Sequence, residues 1–191
     1  NGSIGPTCQS EDISLSGPCW STILTGVHRA KHLVVDNSFS PNAFATYPHF
    51  FARVRTACPD VRTASIVHWA PVNDAILQGH ADTILTNLTD DGVRDACIAA
   101  LSADTADLIY LHFDDVDHAG HTFGFSPAVP QYIAAIEQED ARVGQIVAAL
   151  QARPTYANED WLVVVVSDHG GSGTSHGQNT PEQRTTQLIV S

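Results

Sequence analysis

Along this chain, segments with apolar residues at helical spacing alternate with short, nearly continuous apolar runs. Pro18–Gly26 reads as a helix, with proline suited to its first turn and glycine to its end. Pro48–Cys58 reads as a second helix, stopped by Pro59. Thr63–Trp69 is a strand rich in β-branched residues. Asp91–Ala103 is helical, and Asp107–Phe113 (DLIYLHF) is a short apolar strand. The longest helix is Tyr132–Gln151, where Ile133, Ile136, Val143, Ile146, Val147 and Leu150 form much of one face. Trp161–Ser167 (WLVVVVS) is apolar at nearly every position, as a strand buried on both faces of a parallel sheet should be. Leu188–Val190 starts a further strand. Strands separated by helices predict an α/β fold: a mostly parallel sheet with helices on both faces.

Composition narrows the class. A chain of 191 residues with 43% hydrophobic and 16% charged residues suits one domain over 1–191, and argues against disorder. The longest aliphatic run, Leu162–Val166, is far shorter than the roughly 18 residues of a membrane span. Nine basic residues against 21 acidic ones, net −12, leave little for non-specific binding of a nucleic-acid backbone. So acidic a chain needs bound metal if it is to handle phosphate. Four cysteines without CxxC spacing indicate neither a zinc finger nor a thioredoxin-like site, and leave one disulfide, two or none open.

Three clusters carry chemistry. After DLIYLHF comes DDVDHAGH, with Asp114, Asp115, Asp117, His118 and His121. After WLVVVVS come Asp168, His169 and, seven residues on, His176. Both follow strand ends, where α/β sheets present ligands, and carboxylate with imidazole suits zinc in a catalytic site. Taken singly, each has a plainer reading as a helix cap or a loop histidine. The third cluster is SGPCW, where Ser16 stands before a helix whose free amides and dipole favour an anion. A lone serine there is also an ordinary cap, and no GxSxG elbow suggests a hydrolase triad.

Together, SGPCWSTILTGVHRAKH, FDDVDHAGHTFG and VVVSDHGGSGTSHG resemble, in this order, the nucleophile and metal-ligand segments of the alkaline phosphatase superfamily, especially its type I phosphodiesterase and nucleotide pyrophosphatase branch. The resemblance implies an alkaline phosphatase-like core, incomplete at both ends in this chain. It implies Ser16 as the nucleophile of a metal-dependent phosphate ester hydrolysis through a phosphoseryl intermediate. It implies two divalent ions, zinc by ligand type, one held by Asp117, His121 and His176 and the other by Asp168 and His169. Asp114 and Asp115 fall to supporting roles. The family's second ion also takes an aspartate from a strand well before the nucleophile; Glu11 and Asp12 stand too close to Ser16 to match it. Trp20 stands where formylglycine sulfatases have arginine, which argues against sulfatase chemistry. Leu33 stands where the family often has glycine after His32, which implies a different turn. The implied substrate is a small phosphate ester and the implied compartment periplasmic or extracellular. A phosphomonoesterase, phosphonate hydrolase, phosphotransferase, or metal-binding module without turnover remain alternatives.

Overall fold

The computed structural model describes residues 3–191. In chain order the elements are β1 (Ser3–Gln9), α1 (Ser16–Thr25), α2 (Arg29–His32), α3 (Phe50–Ala57), β2 (Thr63–Val67), β3 (Thr83–Leu85), α4 (Asp90–Ser102), β4 (Leu108–His112), α5 (Asp115–Phe123), α6 (Pro130–Gln151), β5 (Val164–Val166), α7 (Pro181–Arg184) and β6 (Thr185–Val190). They fall into two compact units. One gathers the residues up to Phe50 with Gly120–Ser126 and Asp160–Ser191; the other gathers Phe51–Ala119 and Pro127–Glu159.

The second unit holds the parallel, helix-flanked sheet that the sequence predicts, with strand order β3-β2-β4. All five residues of the central β2 are buried, as its β-branched sequence between two parallel neighbours requires. Helix α4 packs on β2 and β4, and α6 packs on α4. Val93, Cys97 and Leu101, four residues apart, form the buried stripe of α4. A π-helical turn over Val72–Leu77 adds Val72, Ile76 and Leu77 to this core, all 0% exposed.

Charge in this unit concentrates around the start of α4. Arg142 of α6 contacts Asp91, Glu139 and Asp115, each at 3.0 Å. Its Nη1 lies 3.8 Å from Asp90, which is 0% exposed. Burial, and then the neighbouring Asp90, push the Glu139 carboxyl up to about 7, against the lowering effect of Arg142. The folded chain therefore keeps a proton on Glu139 that the unfolded chain has released above its ordinary value of 4.5. The resulting stability is full below that value and is lost as pH rises through about 7. Thermal melts between about pH 5 and pH 8 should show the wild-type midpoint falling against that of Glu139→Gln, whose neutral amide does not titrate. A constant gap between the two would refute the assignment.

The first unit carries an antiparallel sheet, β1-β6-β5. Here the sequence reading fails in part. Trp161–Ser167 yields only the three-residue β5, whose Val164 is 50% exposed and whose neighbour β6 runs antiparallel. An apolar run does not encode the direction of the strand beside it, and β5 is the edge of this sheet. Helix α1 buries Cys19, Trp20 and Leu24. Leu33, expected to change a turn, itself adopts the left-handed region at φ 66° and closes α2 by donating its N–H to Arg29 O (2.8 Å). That conformation costs a non-glycine residue about 1–2 kcal/mol.

All four cysteines are free thiols. Burial pushes the thiols of Cys19 and Cys97 up to about 12. Among the described residues, no helix is long and apolar enough to cross a membrane.

Candidate active site

The first unit brings five of the six sequence-nominated residues onto its own elements: Ser16, His121, Asp168, His169 and His176. Ser16 is the first residue of α1, which begins two residues before the start expected at Pro18. The helix ends at Gly26 in the left-handed conformation (φ 71°), as the sequence implies. Its first turn differs from the expected anion cradle. Pro18 has no N–H, Gly17 N–H donates to Asn37 Oδ1 (2.7 Å), and Cys19 N–H donates to Leu15 O (3.1 Å). The dipole remains, but these amides are spent within the protein. A Cβ on Gly17 would lie 2.6 Å from Asp36 O and 2.9 Å from Asn37 Oδ1, so only glycine admits the 36–37 segment this close. Asn37 was not nominated from the sequence, since nothing local ties it to a serine 21 positions earlier.

Ser16 Oγ lies 3.3 Å from His169 Nε2. His169 is buried, 8% exposed, and Asp168 Oδ2 lies 3.3 Å from the same Nε2. The His169 ring stacks on that of His176, with centroids 3.8 Å apart and planes 22° apart. His176 Nε2 in turn faces His121 Nε2 at 3.1 Å. His121 is exposed near the end of α5, and Asp117 stands one turn earlier on that helix, so the two share a helix face. The structure forms α5 over DVDHAGHTF, a helix not assigned from the sequence.

Glycines shape the floor of the imidazole group. A Cβ on Gly120 or Gly171 would fall 2.1 Å or 2.3 Å from the Phe125 ring. That ring meets His121 edge-on (5.4 Å, 81°) and His176 likewise (6.2 Å, 89°). The loop bearing His176 is pinned by two buried residues that the sequence did not nominate. Ser14 Oγ accepts from Gly177 N–H (2.9 Å), and Gln183 Oε1 accepts from Gln178 N–H (2.6 Å) while its Nε2 donates to Ser172 (2.8 Å). Both are plain polar residues in sequence; only burial marks them.

The protonation pattern follows from the acceptors. Nδ1 of His121 faces Thr174 O (2.9 Å), Nδ1 of His169 faces Gly170 O (2.9 Å), and Nδ1 of His176 faces Ser14 O (2.7 Å). A carbonyl can only accept, so each neutral ring carries its hydrogen on Nδ1 and presents a lone pair at Nε2. Lone pairs then meet at two places: His121 against His176, and His169 against the Asp168 carboxylate. Such contacts need positive charge between them, from a proton or from a metal ion. Two nitrogens held about 2.0–2.1 Å from one tetrahedral zinc stand about 3.3 Å apart, close to the spacing between His121 and His176. Carbonyl-held Nδ1–H groups are also the usual second partners of metal-bound histidines. The donors present fit divalent metal.

Glu11 and Asp12 are committed elsewhere, in line with the small weight their positions gave them. Glu11 Oε1 accepts from Thr22 Oγ1 (2.6 Å), His28 Nδ1 (2.9 Å) and Arg29 N–H (3.2 Å), and Asp12 pairs with Arg29 at 2.5 Å and 2.6 Å.

Comparison with known proteins gives the family and the fold. The family model described as type I phosphodiesterase / nucleotide pyrophosphatase matches residues 44–186, which include Asp117, His121, Asp168, His169 and His176 and leave Ser16 upstream. A human relative, GPI ethanolamine phosphate transferase 2, catalytic subunit, is 33% identical over 85 residues, covering 44% of this chain and 8% of the relative. Among solved structures, the C-terminal periplasmic domain of phosphoethanolamine transferase EptC from Campylobacter jejuni aligns with TM-score 0.71 at 12% identity, over 100% of this chain and 68% of that one. Murine ectonucleotide pyrophosphatase / phosphodiesterase 5 aligns with TM-score 0.67 at 17% identity, over 86% and 48%. The two structures attest the shared fold, and this chain spans about half the length of the second.

Proposed function

Since the chain belongs to the type I phosphodiesterase / nucleotide pyrophosphatase family, we propose that it cleaves small phosphate esters, phosphodiesters or nucleotide pyrophosphates, with Ser16 as the nucleophile and bound divalent metal as the source of positive charge. The observation that carries the reading is the grouping of the His121, His176 and His169 rings, with His169 Nε2 3.3 Å from the Ser16 hydroxyl. In this reading Asp117, His121 and His176 hold one ion, and Asp168 and His169 hold the other. Zinc bound there would supply Lewis acidity to the phosphoryl oxygens and favour the ionised form of the serine.

The residues of the chain do the rest. Ser16 Oγ bonds to phosphorus as the bond from phosphorus to the leaving oxygen breaks, which leaves a phosphoserine and an alcohol or nucleotide. Water then cleaves the phosphoserine and restores the hydroxyl. Asn37 must point Oδ1 at Gly17 N–H, which leaves the Nδ2 hydrogens of the same amide for a phosphoryl oxygen beside Ser16. The dipole of α1 adds partial positive charge at the same point.

A transferase reading has its own support in the human ethanolamine phosphate transferase relative. In that reading an acceptor alcohol, rather than water, takes the phosphoryl group from Ser16. One experiment addresses both. The full-length protein, stripped with chelator and reloaded, should bind about two zinc ions per chain and regain turnover of a p-nitrophenyl phosphate ester. His176→Ala should lose one ion and turnover. Beside p-nitrophenol, free phosphate (or a phosphomonoester from a diester substrate) as the sole phosphorus-containing product supports hydrolysis, and a phosphorylated added alcohol supports transfer. A protein that takes up no stoichiometric metal would overturn the proposal.

A further inference from the structure

α5 is nine residues long and carries Gly120 in its second half, so little of its stability is intrinsic. It must nevertheless hold Asp117 and His121 in a fixed rotation, because each residue of slip turns a helix by about 100° and shifts it about 1.5 Å. The start of such a helix normally leaves N–H groups without partners. Here they point at a carboxylate from another element. Asp90, the first residue of α4, is 0% exposed and accepts from Asp114 N–H (3.0 and 3.1 Å to its two oxygens) and from Asp115 N–H (2.8 Å). The same carboxylate takes His68 Nδ1 at 2.7 Å. His68 follows β2, and Asp114 and Asp115 follow β4, so one buried group ties together the exits of two neighbouring parallel strands. Thr89, just before it, caps α4 by accepting from Gly92 N–H (3.2 Å) and takes no part in the Asp90 contacts.

The donor atoms of His68, Asp90 and Asp115 lie within 4.8 Å of one another, which invites a reading as a cation site. The hydrogen bonds argue otherwise. The Asp90 oxygens already accept from two backbone amides and an imidazole, and Arg142 supplies a fixed positive charge 3.0 Å from Asp115.

We propose that Asp90 is a positioning residue: its buried carboxylate fixes where α5 begins and thereby sets the aim of Asp117 and His121. The consequence for metal affinity rests on the ligand assignment made above; the anchoring of α5 does not. Zinc affinity of the full-length protein, measured by competition with a chromophoric chelator, should fall about 10–100-fold in Asp90→Ala. It should fall less in Asp90→Asn, which keeps the shape and one oxygen acceptor. Absorption of the cobalt-loaded protein should change in the same order. In metal-free protein, amide exchange over residues 118–123 should accelerate in both variants. Thr89→Ala weakens α4 but leaves the Asp90 contacts in place, so it separates general destabilisation from anchoring; it should bind zinc within about two-fold of wild type.

A folded Asp90→Ala with wild-type exchange in α5 would overturn the inference, as would zinc affinity no weaker than that of Thr89→Ala. If Asp90→Ala does not fold, Asp90→Asn is judged by the same two criteria. A wild-type protein that binds no metal would remove the ligand assignment, and the exchange data would still decide the anchoring.

Discussion

Ser16→Ala is expected to reduce turnover of a p-nitrophenyl phosphate ester by the full-length, zinc-loaded protein by about 10³–10⁶-fold, the range met when a covalent nucleophile is removed. The hydroxyl sits at the start of α1, 3.3 Å from His169 Nε2, and the first turn of that helix is held against residues 36–37 by a glycine that nothing larger can replace. Alanine removes one oxygen and leaves the aspartate and histidine donors in place. Zinc uptake should therefore persist while turnover is lost, which separates the nucleophile from the ligands. Ser16→Thr keeps the hydroxyl and should retain measurable activity. Undiminished turnover in Ser16→Ala would rule out the phosphoserine route and leave direct attack by water.

Arg142→Ala should cost about 3–5 kcal/mol of stability, the usual consequence of removing one partner from a buried charge cluster. The Arg142 side chain is 11% exposed, contacts three carboxylates at 3.0 Å, and lies near the fully buried Asp90. Against a typical total of about 5–15 kcal/mol, that loss is severe. Urea denaturation at neutral pH measures it. A change under about 1 kcal/mol would mean that the N–H donors around Asp90 alone suffice to hold its charge. Arg142→Met restores packing without charge, so its difference from Arg142→Ala isolates the contribution of the apolar stem.

The parts of this molecule that could be read in its sequence are those whose cause is local. Pro18 and Gly26 bracket α1, the stripe of Val93, Cys97 and Leu101 marks α4, and the apolar runs at Thr63–Val67 and Leu108–His112 mark two of the three parallel strands. Where the cause lies far along the chain, the reading stopped. α5 goes unassigned because the carboxylate that completes its first turn comes from Asp90, 24 residues before Asp114. β1 carries no strand pattern of its own, and its partner, β6, lies far along the chain. The short β3 has no buried residue to give it a pattern. The candidate site divides in the same way. The residue types at its centre are legible only in combination, since aspartate and histidine after two strand ends together suit a metal where each alone reads as a cap or a loop residue. The groups that orient them, Ser14, Gln183, Asn37 and Gly171, carry no signal until the backbone is folded around them.

The three imidazoles hand their Nδ1 hydrogens to the peptide carbonyls of Ser14, Gly170 and Thr174. A scan that truncates side chains one at a time removes none of those oxygens. The fine adjustment of these rings is thus written in the path of the loops, so an engineer who wishes to retune them must re-route the backbone, by changing loop length or the Ser14 and Gln183 side chains that pin it.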